Sequence, residues 1–331
     1  MTPLLAVRGL GVEYRTGRGR LRALDGVGFD VGQAEALGVV GESGSGKSTL
    51  ARAILRLVPA TRGSVSWLGR DLLGMARKDL RRLRRDLTVV FQDPLASLDP
   101  RFTLATAVAE PLIVHSPELT RAARQRAVAQ ILERVGLAPS LASRYPHELS
   151  GGQCQRAAIA RAMITRPKLV VCDEPLSALD VSVQAQIVNL LRDFQREQGT
   201  ALLLISHNLA VVRRLCTRVL VLYLGRIMEL GPRAPLYAAP RHPYTQLLLE
   251  CVPTLGRARP VAAAGAGEPA SPFAPPSGCV FRTRCRHALG RCADGVPELL
   301  ADDSGHAVAC WRSGELLAGA PGTVTAPSPA S

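Results

Sequence analysis

Lysine is nearly missing from this chain. Of 41 lysines and arginines in 331 residues, only Lys47, Lys78 and Lys168 are lysine. Long apolar runs are missing too. The longest, ALLLI at 201–205 and VLVLYL at 219–224, fall far short of the roughly 20 residues that span a bilayer, so no transmembrane helix is predicted. The opening MTPLLAVRGLGVEYR has no apolar core before Arg8 and no cleavage pattern, which argues against a secretory signal and leads to the expectation of a cytoplasmic chain. A net charge of +14 and the run RKDLRRLRRDL at 77–87 raise a nucleic-acid reading. Because the cations are almost all arginine throughout, a compositional habit accounts for the charge, and no nucleic-acid partner is expected. Against that habit one residue stands out: Lys47 lies in a glycine loop, where a slim ammonium enters and a planar guanidinium does not.

What is present has the balance of a globular protein with a sizeable core, at 47% hydrophobic and 21% charged residues. VRGLGVEYR and ALDGVGFDV read as strands of an edge sheet, and ALGVVGESGSGKSTLARAIL as a buried strand, a loop and a helix. LTVVF at 87–91 is a second buried strand, and TRAARQRAVAQILERVGL is a helix ending at Gly136. KLVVCDEP at 168–175 is an apolar strand ending in two acids; VQAQIVNLLRDFQREQG is a helix closed by Gly199; TALLLISHN is a strand ending in a polar cluster. Strands with polar C-terminal ends, alternating with helices, predict an α/β fold with a mainly parallel sheet and a ligand site along one edge. Residues 254–277 turn to Ala, Gly and Pro and read as a linker, and 313–331 as a disordered tail. These divide the chain into a large domain over 1–253 and a small cysteine-containing module at 278–312.

Two stretches look like anion grips. GESGSGKS at 41–48 fits the phosphate-loop pattern in full and sits between a strand and a helix, the context that makes the pattern strong. Backbone amides of Gly41, Glu42, Ser43, Gly44, Ser45, Gly46, Lys47, Ser48 and Thr49 are expected to wrap the phosphates of ATP, with Lys47 reaching the outer ones and the Ser48 hydroxyl ligating Mg2+. The strand LVVCDE supplies Asp173 for the magnesium shell and Glu174 to polarise an attacking water. LSGGQ at 149–153 is the second grip, two glycines opening a helix. Phosphates wrapped by the first loop leave no face for another helix N-terminus of the same fold, so the second grip is expected to close over the nucleotide of another subunit.

As an ordered series these motifs resemble those of the ATP-binding subunits of ABC transporters, over roughly residues 4–250. The resemblance implies a P-loop NTPase (RecA-like) core with an antiparallel β subdomain and a helical subdomain at about 93–160. It also implies roles. Tyr14 stacks on adenine, and Gln92 in FQDP is a magnesium ligand and sensor. Ser150, Gly151, Gly152 and Gln153 form the signature that completes the partner's site, Asp180 in SALD belongs to the D-loop, Glu174 is the general base, and His207 in ISHN contacts the γ-phosphate. Two positions depart from the family pattern: Cys154 stands where a long polar residue is common, and Asn208 where an aspartate is usual. VVFQDPLASLDPRFTL, DEPLSALDVSVQAQIVNLL and PRHPYTQLLLECVP at 240–253 resemble the peptide and nickel importer class, and most of all its F-type ATPase. That likeness implies a homologous D-type ATPase partner, two integral-membrane permeases, an indirect link to a solute-binding protein, and a place on the cytoplasmic face of the membrane. Peptide is the solute this implies, with nickel and other small solutes open. A chromosome or DNA-repair ATPase would insert a long coiled coil between Gln92 and Ser150, but they are only 58 positions apart without sustained heptads. A soluble translation ATPase would carry two nucleotide units, and this chain has one.

Four of the eight cysteines, Cys279, Cys285, Cys292 and Cys310, fall within the small module. Cys154, Cys172, Cys216 and Cys251 are scattered and read as buried thiols or spectators. Disulfides are disfavoured in a reducing compartment, and four thiolates together call for a cation, with Arg282, Arg284, Arg286 and Arg291 offsetting residual charge. Zinc and an iron–sulfur cluster both satisfy that demand. Zinc sites usually pair cysteines two to four residues apart, whereas the gaps here are five, six and seventeen residues. The module also resembles the C-terminal region of peptide-importer ATPases, which implies a 4Fe-4S cluster in a structural role. His287 and His306 are possible substitute ligands, more readily taken as exposed histidines.

Overall fold

Charge-free runs of Val, Leu and Ile become the interior strands. The computed structural model describes residues 2–17, 19–177, 179–251 and 270–318. In it β3 (Ala36–Val40), β7 (Leu169–Asp173) and β8 (Ala201–Ile205) are buried at every position, as strands covered on both faces must be. With β6 (Leu87–Val90) and β9 (Arg218–Tyr223) they form a parallel sheet in the order β9-β3-β8-β7-β6. Successive residues feed opposite cores: Leu202 and Leu204 of β8 pack on one side, Leu203 and Ile205 on the other. A second sheet, order β2-β1-β4-β5, is antiparallel throughout and comprises β1 (Leu5–Thr16), β2 (Gly19–Val31), β4 (Arg62–Trp67) and β5 (Arg70–Asp71). This is the α/β architecture the alternating pattern implied.

Helices cover the parallel sheet. α1 (Lys47–Ile54) leaves β3 and packs on β2, β7 and β8. After α2 (Arg77–Leu83), the group α3 (Pro94–Ser97), α4 (Leu104–His115), α5 (Arg121–Arg134) and α6 (Gly151–Met163) packs mainly on itself. Thr103, Thr120 and Ser150 begin three of these helices by accepting a backbone N–H on the hydroxyl, which satisfies one otherwise unpaired donor each. α7 (Val181–Gln198), closed by Gly199 at φ 67°, and α8 (Leu209–Leu215) follow β7 and β8.

The C-terminal part differs from the expectation of a module hanging from a linker. β10 (Arg226–Pro232) runs antiparallel to β9, and after α9 (Arg233–Ala238) and α10 (Pro243–Glu250) the chain returns to the same sheet. Past α11 (Arg291–Asp294), β11 (Leu300–Ala301) pairs with β12 (Ala307–Val308), and β12 pairs with β10 through Glu229↔Val308 and Leu230↔Ala307. Cys279, Val280 and Phe281 enter the same core as the helical group. Of the expected linker, 254–269 lies outside the described residues. The expected tail also begins otherwise: Ser313–Ala318 is a helix, α12, with an Arg312–Glu315 ion pair at 2.6 Å across its first turn. Residues 319–331 lie outside the described ones. Among the described residues no helix is long and apolar enough to cross a membrane.

Candidate functional site

Gly41 and Gly46 of the loop after β3 are there because other backbone is too close for a side chain. A Cβ on Gly41 would stand 2.1 Å from the Leu222 carbonyl oxygen of β9, and one on Gly46, at φ 103°, 2.5 Å from that of Ala23. The loop thus curls around the Lys47 side chain, whose Nζ donates to the carbonyls of Gly41 (2.8 Å) and Glu42 (2.7 Å) and to Ser45 Oγ (3.4 Å). Burial lowers the Lys47 pKa, opposed by the charges of Glu174, Asp173 and Glu42. Ser43 and Gly44 are exposed on the rim, and Ser48 and Thr49 are half-buried in the first turn of α1. Ser48 Oγ donates to Asp173 Oδ1 at 2.9 Å. Burial pushes the Asp173 carboxyl pKa up, against the Ser48 bond.

Glu174 sits just past β7 with φ 47°, a left-handed conformation that is uncommon for a side-chain-bearing residue and that marks functional turns. Its N–H donates to the Ile205 carbonyl at 3.0 Å, and its carbonyl accepts from Ser177 Oγ at 3.2 Å. So held, the carboxylate lies with Oε2 3.1 Å from His207 Nδ1 at the end of β8. The strand ends of β3, β7 and β8 therefore bring Lys47, Ser48, Asp173, Glu174 and His207 to one edge of the sheet. Asn208, the departure beside His207, accepts the N–H of Ala210 and Val211 and caps α8. Its side chain serves the helix rather than the histidine.

Other residues singled out from the sequence come from other elements. Tyr14 is half-buried on β1 opposite Leu21. Gln92 is exposed after β6, and Asp180 is exposed at the start of α7. In the second grip, Ser150 Oγ accepts the Gln153 N–H at 3.3 Å while Gln153 Oε1 accepts the Ser150 N–H at 2.9 Å, a reciprocal capping box that fixes the helix start. A Cβ on Gly151 would meet nothing within 4 Å, and one on Gly152 only Val183. Because α6 packs on α3, α4, α5 and β6 in one core while α1 packs on β2, β7 and β8 in the other, the two helix N-termini belong to different layers. Cys154, behind the grip, is buried with its thiol toward the Pro146 carbonyl at 3.5 Å.

Two residues at this site escaped the sequence. The Glu42 carboxylate takes a two-pronged ion pair from Arg284, 2.7 Å and 2.9 Å, and the Glu42 N–H donates to the Tyr244 hydroxyl at 2.9 Å. An acid inside a phosphate loop calls for a cation, and that much was readable. Its supplier, 242 positions away, was not.

In the C-terminal region Cys279, Cys285, Cys292 and Cys310 line one cavity together with His242, His287 and Trp311. No cysteine of the chain is in a disulfide. Burial pushes Cys279 up to about 11 and raises Cys285 and Cys310, and the neighbouring thiols raise all three further. Among the described residues no three His, Cys, Asp or Glu side chains are grouped so as to hold a single metal ion. Of the four arginines expected to offset thiolate charge, Arg286 bears on Cys285 and Arg291 on Cys310. Arg282 is turned to Ser277 and Arg284 to Glu42. His306 is neither exposed nor at the cavity: it is 1% exposed and its Nε2 lies 2.7 Å from Glu229 Oε1, a place fixed by the β12–β10 pairing.

Comparison with known proteins gives the same outline. The family described as ABC transporter matches residues 24–177, and the oligopeptide/dipeptide transporter C-terminal region matches 228–292. Similar proteins include the oligopeptide transport ATP-binding protein OppF of Salmonella typhimurium, 53% identical over 296 residues covering 88% of each chain. A putative peptide import ATP-binding protein of Brucella ovis is 49% identical over 312 residues, 94% of this chain and 98% of the relative. Among solved structures, a dimeric ATP-binding cassette in a post-hydrolysis state with ADP and Pi superposes with a TM-score of 0.65 at 29% identity, over 69% of this chain and 98% of that one. The cbiO1 subunit of an ABC transporter complex from Clostridium perfringens superposes with a TM-score of 0.64 at 27% identity, over 72% of this chain and 92% of that one.

Proposed function

The chain belongs to the ABC transporter ATP-binding family and carries its oligopeptide/dipeptide transporter C-terminal region, and from that premise we propose that it binds and hydrolyses ATP to power import of di- or oligopeptides across the cytoplasmic membrane. One observation carries the chemistry: the Ser48–Asp173 bond and the Glu174–His207 contact meet at the end of the same sheet as the Lys47 loop. Glu174, held by a strained backbone, takes the proton of the attacking water, and His207 contacts the γ-phosphate. Loop amides between Gly41 and Thr49, other than that of Glu42, which donates to Tyr244, and the Lys47 ammonium hold the phosphates, and Tyr14 stacks on the adenine. Ser48, Asp173 and Gln92, all hard oxygen donors, would hold Mg2+, which when bound neutralises charge on the phosphates.

The Ser150–Gln153 grip, exposed at Ser150 and Gly151, and Asp180 face a partner, in this reading a homologous D-type ATPase, beneath two permeases that receive solute from a binding protein. The boundaries 1–253, 254–277, 278–312 and 313–331 remain the working division, with the third unit sharing the sheet of the first. For the cysteine cavity we infer a 4Fe-4S cluster on Cys279, Cys285, Cys292 and Cys310. In support, the four cysteines line one cavity, and four cysteine thiolates are the ligand set such a cluster takes. The cluster would cross-link the module and needs no redox step.

The test of the ATP site is Glu174→Gln in the complex assembled with its permeases. The amide keeps the shape but cannot take a proton, so ATP binding should persist while turnover falls by about 10² or more. Near-normal hydrolysis would place the base elsewhere.

A further inference from the structure

Glu42 is an awkward residue where it stands. Its carbonyl accepts from the Lys47 ammonium at 2.7 Å, so the residue belongs to the phosphate loop, yet it carries a negative charge next to the place proposed for a triphosphate. A carboxylate there repels the ligand unless something cancels it. Arg284 does so with both prongs of its guanidinium, and its side chain is only 7% exposed. Its guanidinium carbon lies 5.8 Å from the ring centroids of both Tyr223 and Phe281. Those two rings and Tyr244 pack together with centroids 4.6–5.4 Å apart. A guanidinium stays charged at any ordinary pH.

The Glu42 N–H is also withdrawn from the ligand side, because it donates to the Tyr244 hydroxyl. Side chain and amide of Glu42 are thus both fastened to residues from outside the cassette's motifs. Tyr244 comes from α10, and Arg284 lies between Cys279 and Cys285. Loss of Arg284 would leave Glu42 charged, half-buried and uncompensated beside Lys47, free to compete with phosphate for the ammonium.

We propose that Arg284 is a positioning residue for nucleotide binding: it holds Glu42 away from the phosphates and neutralises it, so that the C-terminal cysteine module sets the affinity of the phosphate loop. The inference rests on the ATP site proposed above and goes beyond it in giving the module a part in that site. A merely structural arginine and a neutralising one differ in one respect. Only the second is made dispensable by removing the charge it neutralises.

The experiment measures MgATP affinity of the full chain in its complex for the wild type, Arg284→Met, Glu42→Gln, the double variant and Lys47→Ala. Arg284→Met should weaken binding on the order of tenfold, the effect of one unscreened like charge near the ligand. In the Glu42→Gln background the same change should matter by less than about threefold. Arg284→Lys, which keeps the charge without the fork, should fall between the wild type and Arg284→Met; it carries the test, in both backgrounds, if Arg284→Met does not fold. Wild-type affinity in Arg284→Met, or an equal loss in both backgrounds, overturns the inference while Lys47→Ala still abolishes binding. Normal binding by Lys47→Ala would instead remove the ATP-site reading on which it rests.

Discussion

Changing Glu229 to Gln tests the join between the two parts of the chain more sharply than any truncation. Glu229 and His306 are both 0% exposed at their side chains. Oε1 of the glutamate accepts from the Arg241 N–H at 2.9 Å and faces His306 Nε2 at 2.7 Å, and Oε2 accepts from the His242 N–H at 3.0 Å. Burial alone would push this carboxyl's pKa up, but the His306 bond, the Thr245 hydroxyl and the two amides outweigh it and hold the group below its ordinary value. Glutamine keeps the shape and turns one oxygen into a donor. Placed at Oε1, the new NH2 opposes the Arg241 N–H; placed at Oε2, it opposes the His242 N–H. One buried amide loses its acceptor either way, and the surviving bonds lose their charge assistance. At about 1.5–3 kcal/mol for a hydrogen bond to a charged group, the expected loss is ~2–4 kcal/mol, or on the order of 5–10 °C in Tm. Thermal melts with native-state hydrogen exchange would measure it, with the lost protection concentrated at the β10–β12 pairing and the start of α10. The sign with pH also follows. A carboxyl with a depressed folded pKa contributes fully above its unfolded value, about 4.3, and loses that contribution as pH falls through the folded one. The gap between wild type and variant should therefore be level near neutrality and close in acid. A gap under about 0.5 kcal/mol, or one that widens on acidification, would refute the reasoning.

Two further outcomes can be checked directly. Gly151→Glu should leave the chain's own ATP binding nearly intact, because a Cβ there meets nothing, yet block hydrolysis in the assembled complex by setting a carboxylate against the partner's γ-phosphate. Nucleotide-binding titrations beside turnover assays separate the two, and an affinity loss as large as that of Lys47→Ala would rule out action in trans. Anaerobic purification should yield brown protein with equal amounts of iron and acid-labile sulfide, on a 4Fe-4S cluster held by the four module cysteines. Colourless protein with one zinc would refute the cluster.

The phosphate loop and the acids behind it were legible because their causes are local. A glycine spacing reports how close backbone will come, and four apolar residues before Asp173 and Glu174 report a strand that ends at a surface. The capping box at Ser150 and Gln153 is legible for the same reason, both partners lying within one turn. What stayed hidden depends on distant neighbours. Ala307 and Val308 are too few to announce a strand, and they become one only because β10 offers an edge. His306 looked like a surface histidine because the acid that buries with it is 77 positions earlier. Arg284 looked like one of several cations around the cysteines until the fold set it against Glu42.

The backbone pairing of β12 onto β10 changes what a shortened version of this chain would be. A cut in the segment between 251 and 270 would not release a minimal cassette. It would uncover the outward backbone groups of β10 at Met228–Leu230, which β12 now pairs, and Glu229 would lose its histidine. An uncapped strand of that kind is a template for pairing with other chains, and proteins guard such edges against aggregation. Two residues of strand thus matter more to this edge than their number suggests.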